Sequence, residues 1–407
     1  RAALMSGLRP FTTGVYENNN DWRTVIPVDL PLTTAFRRAG YRVAGAGKIY
    51  HEAYARGEEW DDYLPREAQR AREQPSPTSK DDGVGGIKFR PLINDDTALP
   101  DYAITDYAIA ELRRTHDRPF FLAVGLHKPH LPWNVPQKYY DLFPLDRIVL
   151  PPYLADDLAD VPPAGVKFAK PAGDHAAIVK SGRWPEAVQA YLAAIAYTDM
   201  NIGRLLDAFE ASAYRDNTIV CFWSDHGWHL GEKNHWRKFA LWEEATRAPL
   251  VWIVPGLTRP GTVCDRPIDY MSIYPTLTDL CGLPTPAHVE GVSLRPLLAN
   301  PSAPWDRPAI TTYLFKNHAV RITGWRYIRY ANGDEELYDE TADPNEWRNL
   351  ASDPAHAAKK AELARHLPTR DHPDIGGRAR AGAEEGEASP AGQKKDASPT
   401  GQKKKSR

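Results

Sequence analysis

Cysteine is scarce in this 407-residue sequence: Cys221, Cys264 and Cys281 are all there are. An odd, widely spaced set makes neither a disulfide framework nor a metal knuckle. Cystine-stapled and zinc-ribbon scaffolds are therefore excluded, and the redox compartment is left open. Long apolar runs are missing as well. None approaches the roughly 18 residues that a membrane-spanning helix needs, so no integral membrane segment is expected. An excess of one charge sign is absent too: 51 Lys and Arg stand against 53 Asp and Glu, a net charge of −2. The body has no overall field to draw nucleic acid or an anionic membrane, and no nucleic-acid partner is expected. No secretory leader is recognisable either. The sequence opens on Arg1 rather than Met, with no charged n-region, apolar h-region or small-residue cleavage site. That leaves export open, because "RAALMSGLRP" already reads as the inside of an element.

What is present is ample apolar material, 42% of residues, with 12 Trp and 36 Pro. This length supports one large domain and a smaller one. The spacing predicts a helix over Leu32–Arg38, stopped by Gly40, then a short strand over Tyr41–Ala44. "GAGK" leaves that strand in a Gly-flanked turn. Apolar residues at helical spacing predict helices over 101–114 and 185–212. "RPFFLAVGLH" (118–127) is a continuous apolar run of strand length, expected to be buried on both faces. "NTIVCFWSDHG" (217–227) and "APLVWIVPG" (248–256) read the same way. Alternating strands and helices predict an α/β fold, a mostly parallel sheet sandwiched by helices. Two stretches rich in Pro, Gly and charge, 55–98 and 131–184, read as long irregular loops, either functional or disordered. After residue 310 short alternating strands and an Asn332-Gly333 turn predict a small antiparallel sheet. A helix follows near 354–366. The end, with "SPAGQKK" nearly repeated as "SPTGQKK", reads as a disordered, solvated tail. The expected division is 1–307 for the α/β domain, 308–370 for the β-rich subdomain and 371–407 for the tail.

Sites in an open parallel sheet collect at the carboxyl ends of the strands. Four polar clusters fall near such ends: "GKIYH" with Lys48 and His51, "HKPHLPW" with His127, Lys128 and His130, "SDHGWHLGEKNHWRKF" with Asp225, His226, Trp228 and Lys238, and Arg1. Taken singly, each has a bland reading as a structural histidine, a solvated lysine or a strand cap. Taken together, Arg1, Lys48, His51, His130 and Lys238 place cationic and proton-carrying groups around one point. Asp225 adds a carboxylate suited to a hard divalent cation. Such a set suits an anionic group with three terminal oxygens, sulfate or phosphate.

The segments "GLRPFTTGVY", "AGYRVAGAGKIYH", "FFLAVGLHKPHLPW", "AYTDMNIGRLLDAF", "VCFWSDHGWHLGEKNHWRKF", "APLVWIVPG", "YPTLTDLCGLP", "EGVSLRPLL" and "LYDETADPNEWRNL" stand in the order found in the sulfatase family. The chain resembles its formylglycine-dependent type I members, and most of all the iduronate-2-sulfatase-like branch, over nearly all of residues 1–350. The resemblance implies an alkaline-phosphatase-like α/β sandwich with a small C-terminal antiparallel β-rich subdomain. It implies hydrolysis of a sulfuric ester on a sulfated sugar of the uronate 2-sulfate kind, with one Ca²⁺. It also implies a formylglycine made from the cysteine of a Cys-x-Pro-Ser-Arg signature. Arg1 would be the last residue of that signature, and the nucleophile and part of the metal site would lie upstream of it.

By the same resemblance Asp225 is a calcium ligand with His226 beside it in the metal pair. Lys48 and Lys238 neutralise sulfate, His51 holds or deprotonates the formylglycine hydrate, and His130 protonates the departing sugar oxygen. Trp228 lines the sugar subsite or simply packs. His127 is structural. The expected partner is a sulfated saccharide, and the family habit is export. Two other readings stay open: a phosphoester or phosphonate monoester hydrolase of the same superfamily, and an inactive chain that binds sulfated glycans.

Overall fold

The computed structural model describes residues 1–51, 56–77 and 82–376. The helices are α1 (Ala2–Ser6), α2 (Pro10–Thr13), α3 (Leu32–Arg38), α4 (Pro100–Arg113), α5 (Gln137–Tyr140) and α6 (Pro163–Ala169). They continue with α7 (Asp174–Ser181), α8 (Trp184–Glu210), α9 (Glu243–Thr246), α10 (Ile273–Leu280), α11 (Arg295–Ala299) and α12 (Ala357–Ala364). The first strands are β1 (Arg42–Gly47), β2 (Asp62–Tyr63), β3 (Phe89–Leu92), β4 (Phe120–Gly125), β5 (Trp133–Pro136) and β6 (Val220–Trp223). Then come β7 (His229–Leu230), β8 (Trp236–Arg237), β9 (Leu250–Ile253) and the C-terminal strands β10 (Ala309–Thr312), β11 (His318–Ile322), β12 (Trp325–Arg329) and β13 (Glu335–Asp339).

Parallel pairing dominates the first half. The order is β2-β1-β4, with Val43 opposite Phe121 and Gly47 opposite Gly125. Strands β3 and β5 form a second parallel pair. Helix α4 crosses between β1 and β4 and packs on both. The long helix α8 starts with Pro185 in its first turn, where the missing N–H costs nothing. Its Ala187, Ala190, Ala193, Ala194 and Tyr197 form one stripe, buried against Trp133, Val135, Tyr139 and Tyr140. On the other side Leu4, Met5, Leu32, Phe36, Ile273 and Tyr274 close the core under β1, β4, β6 and β9. The C-terminal strands pair antiparallel in sequence order, with Gly333 in the left-handed region between β12 and β13. One face of this sheet buries Ala319, Ile328 and Tyr338 against Leu241 and Trp242, and the other carries Leu363 of α12.

Four features depart from expectation. The run 118–127 yields β4, but all six of its residues are only half-buried. Among the described residues β4 pairs on one edge alone, which leaves its other edge accessible. Strands β6 and β9 pair antiparallel with each other and leave Phe222, Val251 and Ile253 exposed. The stretch 131–184, predicted irregular, holds β5, α5, α6 and α7. Helices this short have little propensity of their own and form because tertiary packing holds them. Finally, Asp371–Gly376 runs along the start of the chain: His372 N–H donates to Phe11 O at 2.7 Å and Ile375 N–H to Gly14 O at 3.1 Å. The near-repeats of the predicted tail lie outside the described residues.

Candidate active site

The parallel register brings the ends of β1 and β4 unusually close. Gly47 has φ +81°, and a Cβ there would collide with Gly125 O. Two glycines side by side allow this approach, and Lys48 N–H donates to Gly125 O at 2.7 Å. Lys48 therefore leaves the sheet at the carboxyl edge. Tyr50 follows, stacked on Trp22 with ring centroids 4.7 Å apart, and half-buried His51 stands one residue further on. The Arg1 guanidinium spans from this turn to the end of β6. It donates to Lys48 O and, at 3.3 Å, to Ile49 O, while its other amino group lies 2.9 Å from Asp225 Oδ2.

Asp225, His226 and Gly227 follow β6. A Cβ on Gly227 would run into the Glu244 and Arg247 carbonyls, so only glycine lets the chain pass there. His226 Nδ1 donates to Gly227 O at 2.7 Å, which turns Nε2 toward Asp225 Oδ1, 3.6 Å away. Burial pushes the Asp225 carboxyl up, but His226, Arg1 and Lys238 outweigh it and hold the group below the usual carboxylate range. Burial lowers His226 to about 4 against the pull of Asp225. At neutral pH that imidazole is uncharged, so Arg1 and Lys238 are the cations that balance Asp225.

Lys238 follows β8, and its Nζ sits 3.2 Å from His130 Nε2. His130 Nδ1 donates to Leu131 O at 2.7 Å, so Nε2 is the acceptor toward Lys238. The loop that carries His130 is clamped from beneath. Asp101, 1% exposed in the first turn of α4, accepts the backbone N–H of His127 at 2.7 Å and of Lys128 at 2.8 Å. The Lys128 ammonium points inward and donates to Pro132 O. Burial lowers its pKa against the attraction of Glu73 and Asp101. Lys128 thus belongs to the support of the loop. Trp228 is 8% exposed. Its ring lies 6.2 Å from both His130 and His226 and stacks on Tyr191 at 6.3 Å. Most of the indole is buried beside the two histidines.

The site therefore brings Arg1, Lys48, His130, Asp225, His226 and Lys238 together from the start of the chain, the ends of β1, β6 and β8 and the loop after β4, with His51 three residues beyond Lys48. Sequence reasoning missed Asp101. An Asp at a helix start reads as a partner of the helix dipole, and nothing local says that it reaches a loop 26 residues away. The expected calcium was tested against the donors present. Calcium takes about six to eight oxygens. Asp225 offers one carboxylate among cations, and an imidazole is a poor ligand for a hard ion. Among the described residues no group of three or more His, Cys, Asp or Glu is placed to hold a metal. The pair Asp225 and His226 does not by itself make a calcium site.

The chain has relatives in sequence and in fold. Residues 1–283 match the family model described as Sulfatase, and residues 231–372 match that of the N-sulphoglucosamine sulphohydrolase C-terminal region. A sulfatase of Formosa agariphila is 39% identical over 394 residues, 90% of this chain and 76% of that protein. Iduronate 2-sulfatase of Mus musculus is 28% identical over 456 residues, 88% of this chain and 82% of that protein. Two solved structures share the fold at low identity. One, in complex with its substrate D-glucosamine-2-N,6-O-disulfate, has a TM-score of 0.69 at 21% identity, covering 89% of this chain and 85% of its own. A phosphonate monoester hydrolase from Silicibacter pomeroyi has a TM-score of 0.72 at 22% identity, covering 89% and 83%.

Proposed function

The chain belongs to the sulfatase family, and on that premise we propose that its site takes the sulfate ester of a sulfated sugar, a uronate 2-sulfate-like unit of a polysaccharide. The observation that carries this reading is the meeting of Lys238, His130, Arg1 and Asp225 around one point. In this proposal Lys48 and Lys238 neutralise the sulfate as compact ammonium donors. His130 Nε2, the acceptor from the Lys238 ammonium in the resting site, would take up a proton from that ammonium and pass it to the sugar oxygen as it leaves. Arg1 holds Asp225 and the β1 turn in place, and His51 would hold or deprotonate the formylglycine hydrate. A formylglycine nucleophile and Ca²⁺ belong to the same reading, with Asp225 as the carboxylate of this site that would help to hold the ion. When bound, that ion would supply charge for the nucleophile and the sulfate. The same reading places the protein outside the cytoplasm, where sulfated polysaccharide is met. No helix of the described residues is long and apolar enough to cross a membrane.

The test is binding, which needs no nucleophile. The purified chain is titrated by calorimetry with a 2-sulfated uronate disaccharide, its unsulfated counterpart, inorganic sulfate and inorganic phosphate. The expected result is binding of the sulfated sugar, competition by sulfate and no binding of the unsulfated one. Lys238→Ala should weaken the sulfated sugar by about tenfold or more, the loss of one charge-assisted hydrogen bond. Equal affinity of the two sugars, or indifference to Lys238→Ala, would sink the reading. A clear preference for phosphate would move it to the phosphoester or phosphonate alternative.

A further inference from the structure

Next to Lys238 the chain carries an aromatic ring that the proposed chemistry does not use. The Lys238 ammonium lies 5.5 Å from the centre of the Phe239 ring. Phe239 in turn meets Tyr313, with ring centroids 6.0 Å apart and planes tilted by 32°. Phe168 stands edge-on behind Tyr313 at 5.0 Å. The inner members of this aromatic cluster, Trp242, Tyr330 and Tyr338, are buried. Phe239 and Tyr313 are its outer members and remain partly exposed. They come from different parts of the molecule: Phe239 from the segment after β8, Tyr313 from the tip of the hairpin between β10 and β11.

That tip is held in one shape at some cost. Leu314 and Lys316 lie in the left-handed region at φ +58° and +62°, which side-chain-bearing residues adopt reluctantly. Asn317 locks them there. Its side-chain N–H groups donate to Tyr313 O at 3.0 Å and Phe315 O at 3.1 Å, and its carbonyl accepts Ala331 N–H at 3.0 Å. Tyr313 N–H closes the turn on Asn317 O at 3.1 Å. Phe315, two residues on, abuts Tyr16 edge-on at 5.7 Å. The tip thus stands between the Lys238 segment and the first segment of the chain.

We propose that Phe239 and Tyr313 form a stacking platform for the saccharide chain, adjoining the sulfate site. This rests on the proposed function and deepens it. A pyranose ring has one face made of C–H groups, which complements the negative face of an aromatic ring. Aromatic walls with a few fixed polar groups are how small polar ligands are oriented. Here the platform begins at the residue after Lys238, so a ring carrying the bound sulfate, or its neighbour, meets it directly. A preformed tip adds no ordering cost when the sugar arrives. The C-terminal sheet would then take part in choosing the substrate.

The experiment separates the sugar from its sulfate. Inorganic sulfate and the 2-sulfated uronate disaccharide are each titrated into the wild-type chain, Phe239→Leu, Tyr313→Leu and Tyr313→Phe, with melting curves for all four. Leucine fills most of the volume and removes the π face. The platform predicts that both leucine variants lose about three- to tenfold in disaccharide affinity and keep their affinity for sulfate. Tyr313→Phe should bind as the wild type does. Equal disaccharide affinity across all four chains overturns the platform while Lys238 dependence leaves the sulfate site standing. A parallel loss of sulfate and disaccharide by the leucine variants also overturns it, because the rings would then only support Lys238. Failure of the wild type to bind either ligand overturns both readings.

Discussion

Asp101 does for the His130 loop what a metal or a disulfide does elsewhere: it fixes two backbone N–H groups with one buried carboxylate. Removing it by Asp101→Ala leaves the His127 and Lys128 donors unpaired and takes away a negative neighbour of the buried Lys128 ammonium. Each orphaned donor costs about 1–3 kcal/mol. The expected outcome is a lowered melting temperature together with weaker sulfate binding, as the His130–Lys238 pair loses its seat. Asp101→Asn, which keeps one acceptor, should fall between. Unchanged melting in Asp101→Ala would show that the loop holds itself. At this scale the sequence was uneven. Lys48, His130, Asp225 and Lys238 were legible because each stands in a motif next to a strand end. Asp101 was not, since its partners are distant in sequence. Trp228 was legible as a neighbour of the site but not as a buried one, because burial is a property of the assembled core.

Among elements, the β7–β8 hairpin both aims Lys238 and is built from titratable groups. His229 and His235 are buried within it, 5.0 Å apart, and each Nδ1 donates to a backbone carbonyl. Burial lowers His235 to about 4. Its contribution to stability is complete above the ordinary histidine value near 6.5 and fades as pH falls toward about 4. Glu232, in the turn, has the opposite sign. Burial raises its carboxyl to about 7, partly offset by the Leu230 N–H that it accepts at 2.6 Å. The folded hairpin holds that proton where the unfolded chain has lost it, so stability is complete below about 4.5 and fades as pH rises to about 7. The two trends oppose each other in mildly acidic solution. Glu232→Gln keeps an acceptor for Leu230 and removes the second trend. Its melting temperature should climb further than that of the wild type between pH 5 and about 7.5, and parallel profiles would refute this. Little of this was legible beforehand, because a two-residue strand has no period to read. Strand β1 and helices α3, α4 and α8 were legible because their runs are long enough to show one.

For the whole molecule, strand–helix alternation made the parallel order of β1 and β4 readable, and the Asn332-Gly333 turn did the same for the C-terminal sheet. Edges could not be read that way. Whether an apolar strand has one neighbour or two depends on segments far off in sequence, and "FFLAVG" looks the same in either case. In the described residues β4 keeps an unpaired edge, and β6 and β9 expose Phe222, Val251 and Ile253 at 38%, 49% and 45%. Unpaired backbone beside exposed apolar side chains is a template for another chain, and natural proteins usually guard such edges with charge, Pro or a covering element. The β4 edge has no charged residue between Phe120 and Gly125 to guard it. The 407-residue chain is therefore expected to self-associate as its concentration rises, through this edge and the β6–β9 face. Light scattering over a dilution series checks this. The double substitution Val251→Lys with Ile253→Lys places like charges on that face and should shift the mass back toward the monomer. Both side chains are near half exposed, so the change should leave melting little altered. A wild-type chain that stays monomeric at every concentration would mean that the open edges are covered by something other than a second copy.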